Sequence, residues 1–86
     1  MAESKIARSF SVKPRVAGTL PNVSGLFYLE AAQTIGNITI PAYTLGIVIA
    51  WSENEAIFYG SRLGTTNGFI YNAMMKNGVW TDAYIR

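Results

Sequence analysis

The sequence predicts an all-β protein, a small antiparallel sheet or sandwich built from a meander of hairpins. The first observation is a pair of aromatic-rich runs, 69–75 and 79–84, joined at Asn77-Gly78. Both turn residues accept the positive φ that a type I′ hairpin turn requires. The second observation is the run 45–51, which is rich in β-branched residues and predicts a buried central strand. The third is the recurrence of turn residues roughly every 8–12 positions, which favours about five or six short strands joined by local connections.

The other elements are predicted in chain order from the same signals. A strand is expected at 26–29 after Ser24-Gly25, a helical turn at 30–34, and an alternating strand at 37–40 that ends at Pro41. The polar turn 52–55 leads to a partner strand at 56–59, and 60–68 is the longest polar connection. We therefore expect residues 1–18 to form an N-terminal arm or linker and residues 19–86 to form a single β domain.

Strict alternation in the final hairpin predicts which side chains share a face. On the first strand one face takes Phe69, Tyr71, Ala73 and Met75, and the other takes Ile70, Asn72 and Met74. On the return strand Trp80, Asp82 and Tyr84 are expected opposite Val79, Thr81 and Ala83. Both sides of the hairpin then carry apolar bulk, which is expected if one side covers the core and the other meets a partner.

The composition predicts self-association. The chain has 86 residues, of which 50% are hydrophobic and only 14% are charged. A domain of this size cannot bury so much apolar surface within itself, so part of that surface is expected in contacts between chains. The alternative is that the excess consists of ordinary exposed Ala, Tyr and Met side chains.

The residue inventory argues against catalysis. The chain has no cysteine and no histidine, and its five acidic residues form no obvious pair. A disulfide framework and a thiolate metal site are impossible, and the usual general base at neutral pH is missing. The glycine-containing segment 60–64 lacks the Lys-Ser/Thr step of a phosphate-binding loop. We expect a non-enzymatic protein without a metal or cofactor.

Charge is concentrated at the start of the chain. Lys5, Arg8, Lys13 and Arg15 face the single acid Glu3, within a formal net charge of +2. Such an arm suits nucleic acid, but a solvated leader is the better interpretation because no basic residues are adjacent. No signal-peptide pattern is present, and the longest apolar stretch is too short to cross a bilayer. We expect synthesis in a host cytoplasm and no membrane insertion.

The strongest binding pattern is an aromatic and amide-rich surface. Carbohydrate sites combine an aromatic face with a few oriented polar donors. Arg62 and Asn67 lie in or beside the long polar connection, with Tyr59 and Tyr71 at its ends. Trp51, near Asn54, is a second candidate. The alternatives are a merely flexible connection and, for Trp80 and Tyr84, ordinary packing in a sheet.

Parts of the chain resemble the pyocin-knob-type modules of phage and pyocin tail fibres. The segment Ser24-Gly25-Leu26-Phe27-Tyr28, preceded by Leu20, is similar to their "L…G-x-Y" opening. The closing Asn77-Gly78-Val79-Trp80 is similar to their Asn-Gly-x-Trp step, although the second aromatic residue, Tyr84, stands one position later. The resemblance covers roughly residues 18–86.

This resemblance implies a small β module at the tip of a trimeric fibre in the virion tail. Such a module helps a larger tail-fibre protein to trimerise, or it contacts sugars on the bacterial surface. The main alternative is a small phage-encoded inhibitor of a host protein, suggested by the chain's size. A nucleic-acid-binding β barrel is the third hypothesis, but Arg62, Lys76 and Arg86 are scattered among acidic residues.

Overall fold

Eight β-strands and no helix make up the part of the chain that the computed structural model describes, residues 13–64 and 68–86. The strands are β1 (Arg15–Ala17), β2 (Gly25–Leu29), β3 (Gln33–Ile35), β4 (Ile38–Ile40), β5 (Thr44–Ala50), β6 (Ala56–Arg62), β7 (Tyr71–Lys76) and β8 (Val79–Ile85). The all-β prediction is confirmed. Because the described residues contain no helix, none of them forms one long and apolar enough to cross a membrane.

Six of the strands form one sheet, in the order β1-β2-β5-β6-β7-β8. Every pair in it is antiparallel except β1 and β2, which run parallel, so the sheet is mixed rather than wholly antiparallel. The last four strands of the order follow one another in sequence, as a meander of hairpins requires. The segment predicted as an arm contains β1, and residues 1–12 of that segment lie outside the described part of the chain.

Strands β3 and β4 form a separate two-stranded hairpin. The prediction of a helical turn at 30–34 is therefore wrong, since Gln33 and Thr34 begin β3. The hydroxyls of Thr34 and Thr39 are 2.9 Å apart across this hairpin. The Gln33 side-chain oxygen accepts a hydrogen bond from the Leu20 N–H at 2.7 Å. A strand of three residues is too short to show periodicity, so its partner across the turn determines its conformation.

The core lies between the β3–β4 hairpin and one face of the large sheet, which we call the inner face. It consists of Leu20, Phe27, Leu29, Ile35, Ile40, Val48, Ala56, Phe58, Ala73 and Met75. Strand β5 lies in the interior of the sheet, as predicted, but only alternate residues are buried. The other face of β5 is exposed, so the strand separates the core from a second surface.

The Asn77-Gly78 hairpin is confirmed. Asn77 has φ 53° and Gly78 has φ 79°, as a type I′ turn requires. The Gly78 N–H also donates to the Asn54 carbonyl oxygen at 3.1 Å, which connects this turn to the β5–β6 turn. The neighbouring turns therefore support each other at one end of the sheet.

Replacing Gly78 by Ala should destabilise the protein by about 1–2 kcal/mol, because an L side chain is strained at positive φ. The change is measured as the free energy of unfolding in urea. Asn77→Gly is the matched control and should change stability by less than about 0.5 kcal/mol, since glycine adopts the same φ without strain. Equal effects of the two substitutions would contradict this account of the turn.

A β-bulge in β8 makes one predicted face assignment wrong. Met74 is paired with Asp82 and Met75 with Trp80, so Thr81 has no partner in the register. Trp80 and Ala83 consequently both pack against the core, whereas Tyr84 lies on the opposite face with Asp82. The Trp80 indole N–H donates to the Leu20 carbonyl oxygen at 3.0 Å, so the packing expected as the alternative to ligand contact applies to Trp80.

Candidate functional site

The predicted binding residues lie at separate places on the sheet. Gly60 is paired with Tyr71, so Tyr71 shares the inner face with Gly60 and packs against the core. Tyr59, one residue earlier, points to the opposite face and is half exposed. The two tyrosines therefore cannot contact one ligand from the same side of the sheet.

The other three predicted residues are also apart. Arg62 ends β6 and is paired with Thr44 at the start of β5, whereas Trp51 follows the other end of β5. The separation is about 23 Å along the strand, at roughly 3.3 Å per residue. Trp51 is 85% exposed. Asn67 lies outside the described residues.

The structure does place Arg62 beside Tyr43, which in turn lies beside Tyr28, and we call these three residues the tyrosine–arginine corner. The Arg62 guanidinium carbon lies 6.0 Å from the centroid of the Tyr43 ring. The ring centroids of Tyr28 and Tyr43 are 6.3 Å apart, with the ring planes tilted by 32°. Within the described residues no carboxylate pairs with Arg62, since the salt bridge found there joins Lys76 and Asp82. The guanidinium donors therefore remain open to a ligand.

Tyr43 has a backbone conformation that disfavours an L side chain, with φ 68°. Two hydrogen bonds hold it there: its N–H donates to the Leu29 carbonyl oxygen at 2.7 Å, and its carbonyl oxygen accepts from the Leu63 N–H at 2.9 Å. The conformation costs on the order of 1–2 kcal/mol. The side chain is 50% exposed, so core packing does not explain a tyrosine at a position that glycine would occupy without strain.

Sequence reasoning missed Tyr28 and Tyr43 because Tyr43 meets Arg62, and Tyr28 meets Tyr43, only through the pairing of β2, β5 and β6. The local sequence Pro41-Ala42-Tyr43 indicates a turn, but nothing in it signals a positive φ. The single usable signal was Arg62 itself, a basic residue next to the polar connection. The remainder of the corner depends on register, which one sequence does not reveal.

A second exposed feature is the face of the large sheet that points away from the core, which we call the outer face. Its outward positions are Leu26, Tyr28, Leu45, Ile47, Ile49, Ile57, Tyr59, Ser61, Asn72, Met74, Lys76, Asp82 and Tyr84. The charged residues among them, Lys76 and Asp82, stand on β7 and the edge strand β8 and pair with each other at 3.6 Å. The face of a sheet that points away from the core normally carries polar side chains, so the apolar composition of the outer face requires an explanation.

The outer face contains a recess and one nearly buried polar side chain. At the β5–β6 turn a recess of approximately 260 Å³ is lined mainly by Ile49, Trp51, Ile57 and Met74, with Glu55 and Lys76 among its lining residues. Nearer the middle, Asn72 lies between Tyr59 and Tyr84 and is only 6% exposed. Its side-chain oxygen accepts from the Arg86 Nε at 3.4 Å.

No catalytic arrangement emerges from the described residues. In 13–64 and 68–86 there is no group of three or more acidic side chains placed to hold a metal ion. The tyrosine–arginine corner offers hydrogen-bond donors and aromatic surface, a combination suited to binding a ligand. Comparison with known proteins gives no further guidance: no family model matches the chain, and no curated protein or solved structure matches it either.

Proposed function

We propose that this chain is a non-enzymatic module of the phage tail-fibre type, which assembles as a homotrimer and recognises a glycan on the bacterial surface. The observation that carries the recognition part is the tyrosine–arginine corner, with its strained and exposed Tyr43. The module would be carried in the virion tail, joined to a larger fibre protein. This proposal also retains the resemblance of the closing Asn-Gly-x-Trp step to tail-fibre modules.

The chemistry of the corner suits a sugar. Aromatic rings offer flat apolar surface to the C–H patches of a pyranose, while a guanidinium and phenol hydroxyls bind its oxygen atoms. Arg62 can also form two parallel hydrogen bonds with a carboxylate, so an acidic sugar is the best match. Backbone strain at an exposed residue is typical of ligand-contacting positions, which further supports a binding role for Tyr43.

The test is binding of the purified protein to immobilised bacterial lipopolysaccharides and capsular oligosaccharides. Tyr43→Ala and Arg62→Ala should each weaken binding by about tenfold or more, equivalent to roughly 1.4 kcal/mol. Tyr43→Gly should weaken binding equally while raising the free energy of unfolding, because glycine relieves the strain at this position. The Tyr43→Gly variant separates loss of the contact from loss of the fold.

Val23→Ala is the control, since Val23 is exposed and lies outside the strands of the sheet. Binding should be unchanged in this variant. Trp51→Ala tests the other predicted binding residue, at the far end of β5. If Trp51→Ala abolishes binding and Tyr43→Ala does not, recognition occurs at the β5–β6 turn instead. If the wild-type protein binds no glycan in the panel, the recognition part of the proposal fails.

The second candidate, an inhibitor of a host protein, is favoured by the outer face, because an apolar surface of this kind also suits a protein partner. The two functions differ in stoichiometry. An inhibitor should form a stable complex of one copy with one host protein, whereas a fibre module should remain a homotrimer when it binds sugar. Light scattering on purified complexes distinguishes these outcomes.

A further inference from the structure

We propose that copies of this chain meet through the part of the outer face formed by β5, β6, β7 and β8, so that this surface is buried in the assembled protein while Tyr28 on β2 stays open at the tyrosine–arginine corner. The inference rests on the proposed function only for the number of copies, three. The location of the contact is argued from the exposed apolar side chains of the sheet. Glycan recognition at the tyrosine–arginine corner can therefore fail without affecting it.

The exposed apolar side chains of the outer face are concentrated on four neighbouring strands, β5, β6, β7 and β8. Ile47, Ile49, Tyr59, Met74 and Tyr84 are each between 39% and 51% exposed. They belong to consecutive strands and are joined by cross-strand pairs, such as Ile47 with Tyr59 and Ile57 with Met74. The exposure therefore forms one continuous patch instead of scattered single residues, and continuous patches mark interaction sites.

The size of the patch fits a stable contact between proteins. With Trp51 at its end, the outer face exposes on the order of 800 Å² per copy, an estimate that takes large side chains at roughly 150–250 Å² each. A standard specific interface buries about 800 Å² on each partner. The patch is thus large enough for a stable complex, and the recess beside Trp51 offers space for a side chain of the other copy.

The charge distribution favours a second copy as the occupant. In a cyclic trimer the outer face of every copy turns towards the same axis, so charge at the centre of the face would approach the same charge of the other copies. The outward positions of β5 and β6 carry no charged residue. The charged residues Lys76, Asp82 and Arg86 lie on or beside β7 and β8, where Lys76 pairs with Asp82 at 3.6 Å and Arg86 donates to the Asn72 side chain. The assembly therefore desolvates apolar surface without placing an unpaired ion at its centre.

The chain's own first twelve residues fit the outer face less well. An extended segment presents alternate residues to a surface. In this segment Arg8 alternates with Ile6 and Phe10, so the side that offers apolar residues also offers a positive charge. Burying that charge without a partner is costly.

The experiment measures solution mass by light scattering coupled to size exclusion, with the full chain over a range of concentrations. We expect three times the chain mass of 9.4 kDa. Ile47→Lys and Ile49→Lys should each raise the concentration at half-association by at least about 100-fold, because each would place an unpaired charge in the contact. Val23→Lys is the matched control: Val23 is 48% exposed but lies outside the sheet, so this variant should remain assembled.

Circular dichroism is used to check that each lysine variant folds, and the second lysine position keeps the test valid if the first variant misfolds. A wild-type monomer would overturn the proposal, as would lysine variants that fold and keep the wild-type mass. The double substitution Ile6→Lys with Phe10→Lys tests the competing occupant. If it dissociates the protein and the variants of Ile47 and Ile49 do not, the contact lies in the N-terminal segment. A trimer that binds no glycan would leave this interface standing while the recognition proposal fails.

Discussion

Replacing Gly46 by Ala should destabilise the protein by about 3 kcal/mol, at the upper end of the usual cost of overpacking a core. Gly46 is paired with Gly60 in neighbouring strands of the sheet, and both face the core. The ring of Phe58, which is fully buried, lies over this pair of glycines. The two glycines thus leave room for the ring of Phe58, the largest fully buried side chain.

A Cβ at position 46 would have no space. It would lie 2.7 Å from the Gly60 Cα and 2.7 Å from a ring carbon of Phe58, and would also collide with the Tyr59 carbonyl oxygen. Two of these three neighbours are backbone atoms of β6, so a rotamer change cannot relieve the contact. The strands must separate or the Phe58 ring must leave its position, and either response disrupts the densest part of the core.

Thermal and urea unfolding test this prediction, with an expected fall in Tm of roughly 15 °C for a domain of this size. Gly18→Ala is the control, because a Cβ there meets no atom within 4 Å and its φ is not in the left-handed region. That variant should be within about 0.5 kcal/mol of wild type. A Gly46→Ala protein as stable as Gly18→Ala would show that the glycine pair is not needed for the packing of Phe58.

The elements predicted correctly from the sequence are those with a local signal. The residue types Asn77 and Gly78 favour the dihedral angles that their turn requires. The β-branched run of β5 is long enough to indicate a strand in the interior of the sheet. Strands β1 and β3 were missed because each has three residues and depends on its neighbour for its conformation. Short strands of this kind are determined by tertiary pairing, which sequence periodicity does not report.

The binding residues were harder to predict than the strands. Tyr59 and Tyr71 lie close to the two ends of the polar connection in the sequence. In the structure, however, alternation along the strands places them on opposite faces of the sheet. The group around Arg62 joins residues from β2, the β4–β5 turn and β6. Sequence proximity thus gave one member of the corner, and the sheet register determined the others. Composition does not depend on register, so the excess of apolar residues could be read from the sequence, and the structure places part of it at exposed positions of the outer face.

The β-bulge at Thr81 offers a direct test of how the register between β7 and β8 determines which side chains face the core. Deleting Ala83 should destabilise the protein by about 3 kcal/mol, whereas deleting Thr81 should cost about 1 kcal/mol or less. Both changes shorten β8 by one residue. They differ only in whether the lost residue has a partner in β7, since Ala83 is paired with Ala73 and Thr81 has none.

Without Thr81 the strand becomes a regular partner of β7, with Trp80 and Ala83 still facing the core and Tyr84 still facing outward. Without Ala83 the strand has two arrangements, and both are unfavourable. If the bulge stays, Tyr84 replaces Ala83 opposite Ala73 and overpacks the core. If the bulge is lost, Asp82 takes that position and turns a carboxylate towards apolar surface. Urea unfolding followed by Trp fluorescence measures both deletions, and equal losses of stability would contradict the role assigned to the bulge.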